Sequence, residues 1–144
     1  MMKTKIRILL VEDNETEAEL IIGLLRSKKA KVFDIKTVTN LTEALKACQK
    51  EVFDSIILDL NLPESKGVNT LERFYSVVKD TPVIALADSA DRIIGFSIKK
   101  EEIQDYIIKD QLNKDKLVEA LLVAAIKSKN MGELRKAFVR KGMR

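Results

Sequence analysis

The sequence predicts an α/β fold: a doubly wound parallel sheet with helices on both faces. Two observations carry this expectation. Strand-like and helix-like apolar periods alternate five times along the 144 residues, and the inner strand segments are continuous apolar runs. An unbroken run implies burial on both faces, which a parallel sheet between two helical layers provides. A chain of this length is expected to form one domain and to bury about two thirds of its unfolded surface.

Ile6 to Val11 is a short buried strand. A helix follows from about Asn14 to Ser27, with Ala18, Ile21, Ile22 and Leu25 on one face of a 3.6-residue period. Val32 to Val38 is a more polar strand whose Lys36 and Thr37 suit a sheet edge. Asn40 and Glu43 have capping-box spacing and open a helix with Leu41, Ala44, Leu45 and Cys48 on its apolar face. Ser55 to Leu60 is the third strand, and Val68, Leu71, Tyr75 and Val78 mark the helix after it. Pro82 precedes a fourth strand, Val83 to Ala87, where a proline at the strand start is tolerated. A weaker helix covers 91–101, and Asp105 to Ile108 is a short fifth strand. Leu117, Ala120, Leu121 and Ala124 lie on a last helix that is apolar over a wide arc. The domain is expected to span 5–127. Residues 128–144 form a basic extension in which Met131, Leu134 and Phe138 recur at helical spacing.

The charge is uneven. From Lys127 onward there are seven basic residues and one acid, a net of +6, whereas the rest carries 19 basic and 21 acidic groups, a net of −2. The basicity therefore sits in the C-terminal segment. No base-reading motif accompanies it, so nucleic acid is not an expected partner. The apolar run Ile8 to Val11 is too short for a signal-peptide core or a membrane span, so no membrane is expected. A single cysteine, Cys48, allows no internal disulfide and suits a reducing cytoplasm. The absence of histidine removes serine–histidine hydrolysis, histidine-ligated zinc and any phosphohistidine carried by this chain.

In open parallel sheets, ligands gather at the carboxyl ends of the strands. The first strand ends in Glu12 and Asp13, the third in Asp59, the fourth in Ala87, Asp88 and Ser89, and the fifth in Lys109 and Asp110. A phosphate-cradling loop after the first strand would need glycines, but this chain has two acids there. Clustered carboxylates without histidine or thiol make a hard-oxygen site suited to magnesium. Magnesium would also let an acidic pocket accept a phosphoryl group, with Asp59 as the covalent acceptor and a lysine on a phosphoryl oxygen.

Four segments, LLVEDN, SIILDLNLPESKG, TPVIALAD and DYIIKD, resemble in order and separation the receiver domain of bacterial response regulators. The likeness covers roughly residues 5 to 127, on the scale of one domain. It implies a flavodoxin-like doubly wound five-stranded parallel sheet in the order 2-1-3-4-5, with helices on both faces. It also implies Mg2+-dependent phosphorylation by a sensor histidine kinase or phosphotransfer protein. The signal would then pass by protein contacts to a downstream protein or output domain. Such a domain is a signalling module whose own chemistry is self-phosphorylation and slow self-dephosphorylation, not turnover of a substrate. A dimer through the fourth helix, fifth strand and fifth helix belongs to the same expectation.

Position by position, the resemblance makes Asp59 the phosphoacceptor, and Glu12 and Asp13 the metal-binding acids. Asn61 would add a backbone carbonyl to the metal, so the implied metal set is Glu12, Asp13, Asp59 and Asn61. Lys109 would contact the phosphoryl group, and Tyr106 is the aromatic residue that would swing between exposed and buried states.

The departures concern the response. Ala87 stands where the family usually has a serine or threonine whose hydroxyl meets the phosphoryl oxygen. Asp88 follows where a small residue is usual. Lys109 is followed by Asp110, not proline, and KKEEIQDY lacks the glycine that usually ends the fourth helix. The switch positions Ala87 and Tyr106 therefore predict a blunted response to phosphorylation. The second reading is a pseudo-receiver, a protein-binding module that works without phosphate. A haloacid-dehalogenase-type phosphatase would need a second aspartate where this chain has Asn61, and a Thr or Val where it has Pro63. Structural roles compete for each residue: a strand-end aspartate is often a turn former, and Glu12 and Asp13 could serve a helix dipole. Ile93, Ile94, Phe96 and Ile98 read first as helix packing and second as a partner surface.

Overall fold

The computed structural model describes residues 5–26, 32–78, 80–88 and 104–127. The expected helix over 91–101, Ser89 and the basic extension lie outside the described residues. Five strands form one parallel sheet: β1 (Ile6–Val11), β2 (Phe33–Val38), β3 (Ser55–Asp59), β6 (Val83–Ala87) and β7 (Asp105–Ile108). Their order is β2-β1-β3-β6-β7, the expected 2-1-3-4-5 once a small hairpin is set aside. That hairpin, β4 (Asn61–Leu62) with β5 (Ser65–Lys66), turns at Pro63 and Glu64 directly after the third strand. β2 is at the edge, and its Lys36 and Thr37 are exposed as expected.

Alternation along the inner strands sorts side chains between two cores. Ile8, Leu10, Ile57, Ile84, Leu86 and Ile107 face α1 (Glu15–Leu25) and α4 (Lys114–Lys127). Leu9, Val11, Ile56, Leu58, Val83, Ala85 and Ala87 face α2 (Leu41–Lys50) and α3 (Val68–Tyr75). The register pairs Val11 with Leu58, Asp59 with Leu86 and Ala87 with Ile108, so these strands end near one edge. A slip of one residue would exchange the two faces and bury the charged strand ends elsewhere.

The helices begin where their caps dictate. Asn14 Oδ1 accepts from the Glu17 amide at 2.9 Å, and Asn40 Oδ1 accepts from the Glu43 amide at 2.8 Å. Glu64, at the hairpin turn, accepts from the Leu41 amide at 3.0 Å and so ties the hairpin to the start of α2. Gly67 takes φ 59°, a left-handed conformation that favours glycine, as the chain leaves the hairpin for α3. Its amide donates to the Leu60 carbonyl at 2.7 Å, and Thr70 Oγ1 donates to the same carbonyl at 2.9 Å. On α3 the aromatic that reaches the core is Phe74, fully buried, with Leu71; Tyr75 is only partly buried against them. The expected face had placed Tyr75 there. Phe74 lies three residues after Leu71 and has no polar group to keep near water.

Candidate functional site

The charged cluster follows from strand parity. Positions continuing the α1-facing rows of β1, β3, β6 and β7 are Glu12 after Leu10, Asp59 after Ile57, Asp88 after Leu86 and Lys109 after Ile107. Asp13 has the opposite parity and is exposed. Asp59 ends β3 and is 1% exposed, as is Glu12. Lys109 Nζ reaches all of this group. It lies 2.7 Å from Glu17 Oε1, 3.0 Å from Asp59 Oδ2, 3.7 Å from Asp88 Oδ1 and 3.8 Å from Glu12 Oε1. Asp59 Oδ1 accepts from the Asn61 amide at 2.9 Å, which fixes the carboxylate in the hairpin entry. The Asn61 side chain donates to Asp88 Oδ2.

Four carboxylates thus surround one cation. Burial first, then the hydrogen bond and the negative charge of Asp59, push the Glu12 carboxyl from its ordinary 4.5 up to about 9. As a carboxylate, Glu12 Oε1 has no hydrogen-bond donor among the described residues. Burial works against the charge of Lys109. The Glu17 hydrogen bond and the charges of Asp59 and Glu12 outweigh it, and its pKa is raised. Lys109 is therefore a permanent cation here.

A divalent cation fits this chemistry. Glu12, Glu17 and Asp59 each offer an oxygen within 4.8 Å of the others, and Glu12 Oε1 is a buried acceptor awaiting a partner. Asp13, exposed and of opposite parity, is not among these three. Glu17 escaped the sequence reading because an acid in a first helical turn looks like a dipole partner. Its only signal was its place on the helix that directly follows the first strand.

Ala87 is fully buried on the opposite face, in the core beneath α2 and α3, and half-buried Tyr106 packs against the same cluster. The two expected switch positions thus share one side of the sheet. Asp88 is where the sequence placed it, at the pocket mouth, with its side chain 44% exposed. A cleft of about 400 Å³ opens beside Lys109, Glu17, Asp88 and Asp110.

A doubly wound sheet with a buried aspartate, acids and one lysine at its carboxyl edge is the layout of a receiver domain. The chain belongs to the response regulator receiver domain family, whose model matches residues 8–122. It is 28% identical over 128 residues to the transcriptional regulatory protein PrrA of Mycobacterium tuberculosis, covering 87% of this chain and 50% of that protein. The chain thus spans about half the length of this relative. The fold matches the receiver domain of a LuxO repressor protein from Vibrio parahaemolyticus, with TM-score 0.75 and 24% identity over 90% of this chain and 97% of that one. It also matches the receiver domain of the sensor histidine kinase PA1611 of Pseudomonas aeruginosa, with TM-score 0.69 and 24% identity over 85% of this chain and 98% of that one. That structure holds a magnesium ion in its active-site cleft.

Proposed function

We propose that this domain receives a phosphoryl group on Asp59 from a histidine kinase or phosphotransfer protein and relays the state by protein contacts in the cytoplasm. One observation carries the reading: a nearly inaccessible Asp59 has Lys109 Nζ 3.0 Å from Oδ2 and the unpartnered oxygen of Glu12 in the same pocket. Its Oδ1 makes the turn bond to the Asn61 amide, which leaves Oδ2 facing Lys109. A carboxylate oxygen of Asp59 attacks phosphorus as the bond from phosphorus to the donor's imidazole nitrogen breaks, and the acyl phosphate remains on the sheet edge. Lys109 pairs with a phosphoryl oxygen while the Asn61 amide holds the other carboxylate oxygen in place.

Glu12 and Asp59 are the residues that would hold magnesium, with Glu17 in reach; Asp13 and the Asn61 carbonyl complete the set that the family resemblance implies. When bound, the ion supplies positive charge to the phosphoryl oxygens. Ala87 leaves the phosphoryl group without a hydroxyl donor from β6, so the change relayed to Tyr106 is small.

Incubation with acetyl phosphate and magnesium, followed by intact mass measurement, tests the assignment. One phosphoryl adduct is expected on the wild type and none on Asp59→Asn. No adduct on the wild type, with a known receiver labelled in parallel, would leave a module that binds proteins without phosphate.

A further inference from the structure

We propose that Asp88 is the general base that hydrolyses phosphorylated Asp59, so that the domain limits the lifetime of its own signal. This rests on the phosphoacceptor reading of Asp59.

Asp88 is braced beside the acceptor from two directions. Its Oδ2 accepts from the side chain of Asn61, two residues past Asp59, and its Oδ1 lies 3.7 Å from Lys109 Nζ. Lys109 in turn lies 3.0 Å from Asp59 Oδ2. The other carboxylates are less suited to activate water. Glu12 is sealed, with a side-chain exposure of 0%, and Glu17, though 43% exposed, makes the shortest of the four contacts to Lys109, at 2.7 Å. The Asp88 contact with Lys109 is longer than a hydrogen bond, so Oδ1 retains accepting capacity on a side chain 44% exposed. A carboxylate held by Asn61, open to solvent and joined to Asp59 through the shared Lys109 is placed to take a proton from water approaching the acceptor. Asn61 acts as a positioning residue by holding the second oxygen.

The step balances without a further reactant. A water oxygen attacks phosphorus from the solvent side while Asp88 Oδ1 takes one of its protons. The bond between phosphorus and the Asp59 oxygen breaks, and its electron pair stays on the Asp59 carboxylate. The proton on Asp88 passes to the departing phosphate, so acyl phosphate and water become carboxylate and dihydrogen phosphate. Asp88 is regenerated. The negative charge of Asp88 could also act alone, by repelling the phosphoryl group, and the test separates the two effects.

The full chain is loaded with acetyl phosphate and magnesium, the donor is removed by desalting, and loss of the adduct is followed by intact mass. Loading does not enter a decay measured without donor. Asp88→Asn is expected to lengthen the half-life by about 100-fold, the lower end of general-base contributions. Asp88→Glu keeps the charge but displaces the oxygen, and is expected to lengthen it as well. The solvent deuterium isotope effect on wild-type decay should be lost in Asp88→Asn. Unchanged decay in Asp88→Asn overturns the assignment. So does wild-type decay in Asp88→Glu beside slow decay in Asp88→Asn, which would mark a pure charge effect. If the wild type takes no phosphoryl group, the phosphoacceptor reading fails first and this inference falls with it.

Discussion

Replacing Asp59 by Asn should stabilise the metal-free protein although it removes the central functional group. Glu12, Glu17, Asp59 and Asp88 crowd around Lys109, and Glu12 is 1% exposed. Burial chiefly, then the hydrogen bond and charge of Asp59, raise the Glu12 carboxyl from 4.5 to about 9. Between those values the folded protein holds a proton that the unfolded chain has released, so stability falls as pH rises. The contribution is complete below pH 4.5 and gone above about pH 9. Its slope is about 1.4 kcal/mol per pH unit, or about 2.7 kcal/mol between roughly pH 5.5 and 7.5.

The substitution removes the second and third causes and leaves burial, the largest, so the penalty falls without vanishing. The expected gain near pH 7.5 is about 1–2 kcal/mol. Lys109 loses a partner at 3.0 Å but keeps Glu17 at 2.7 Å, which limits the offset. Urea unfolding in chelator, at about pH 5.5 and 7.5, reads this as a midpoint shift at constant m. Equal or lower stability of Asp59→Asn near pH 7.5, or the same pH slope in both proteins, would refute the reasoning. Magnesium should reverse the ranking, since a ligand at 100 times its Kd adds about 2.7 kcal/mol to the protein that binds it.

Two further outcomes are expected. Gly23 lies inside α1 with open space where a Cβ would stand, so Gly23→Ala should raise stability by about 1 kcal/mol in urea unfolding; a loss would show that the space is not open. Ala87→Thr restores the missing hydroxyl and should enlarge the phosphorylation-dependent change in tyrosine fluorescence, at about 1–2 kcal/mol of overpacking at this fully buried site. No enlargement would sink the idea that Ala87 blunts the response.

Much of the fold was legible because strand and helix leave different apolar periods. Continuous runs marked the inner strands, Lys36 and Thr37 marked the edge, and Asn40 marked a helix start that the structure reproduces. The hairpin at Asn61 to Lys66 escaped, because two-residue strands are too short to leave a period. Phase within α3 also escaped: Phe74 and Tyr75 are adjacent, and one position on a helix turns the side chain by about 100°.

The site divides along the same line. That Glu12, Asp59, Asp88 and Lys109 gather at one edge was determined by the sequence, because they follow buried runs whose parallel pairing brings the strand ends together. What Lys109 touches was not. Glu17 lies 92 residues from Lys109, and Asn61 lies 27 from Asp88, separations over which no local pattern operates. That Glu17 comes within reach of Glu12 and Asp59, and that Asp13 is exposed with the opposite parity, follow from the strand pleat and the first turn of α1. The raised pKa of Glu12 follows from burial beside Asp59. These are properties of packing distance and desolvation, and they exist only once the sheet has closed between its helices.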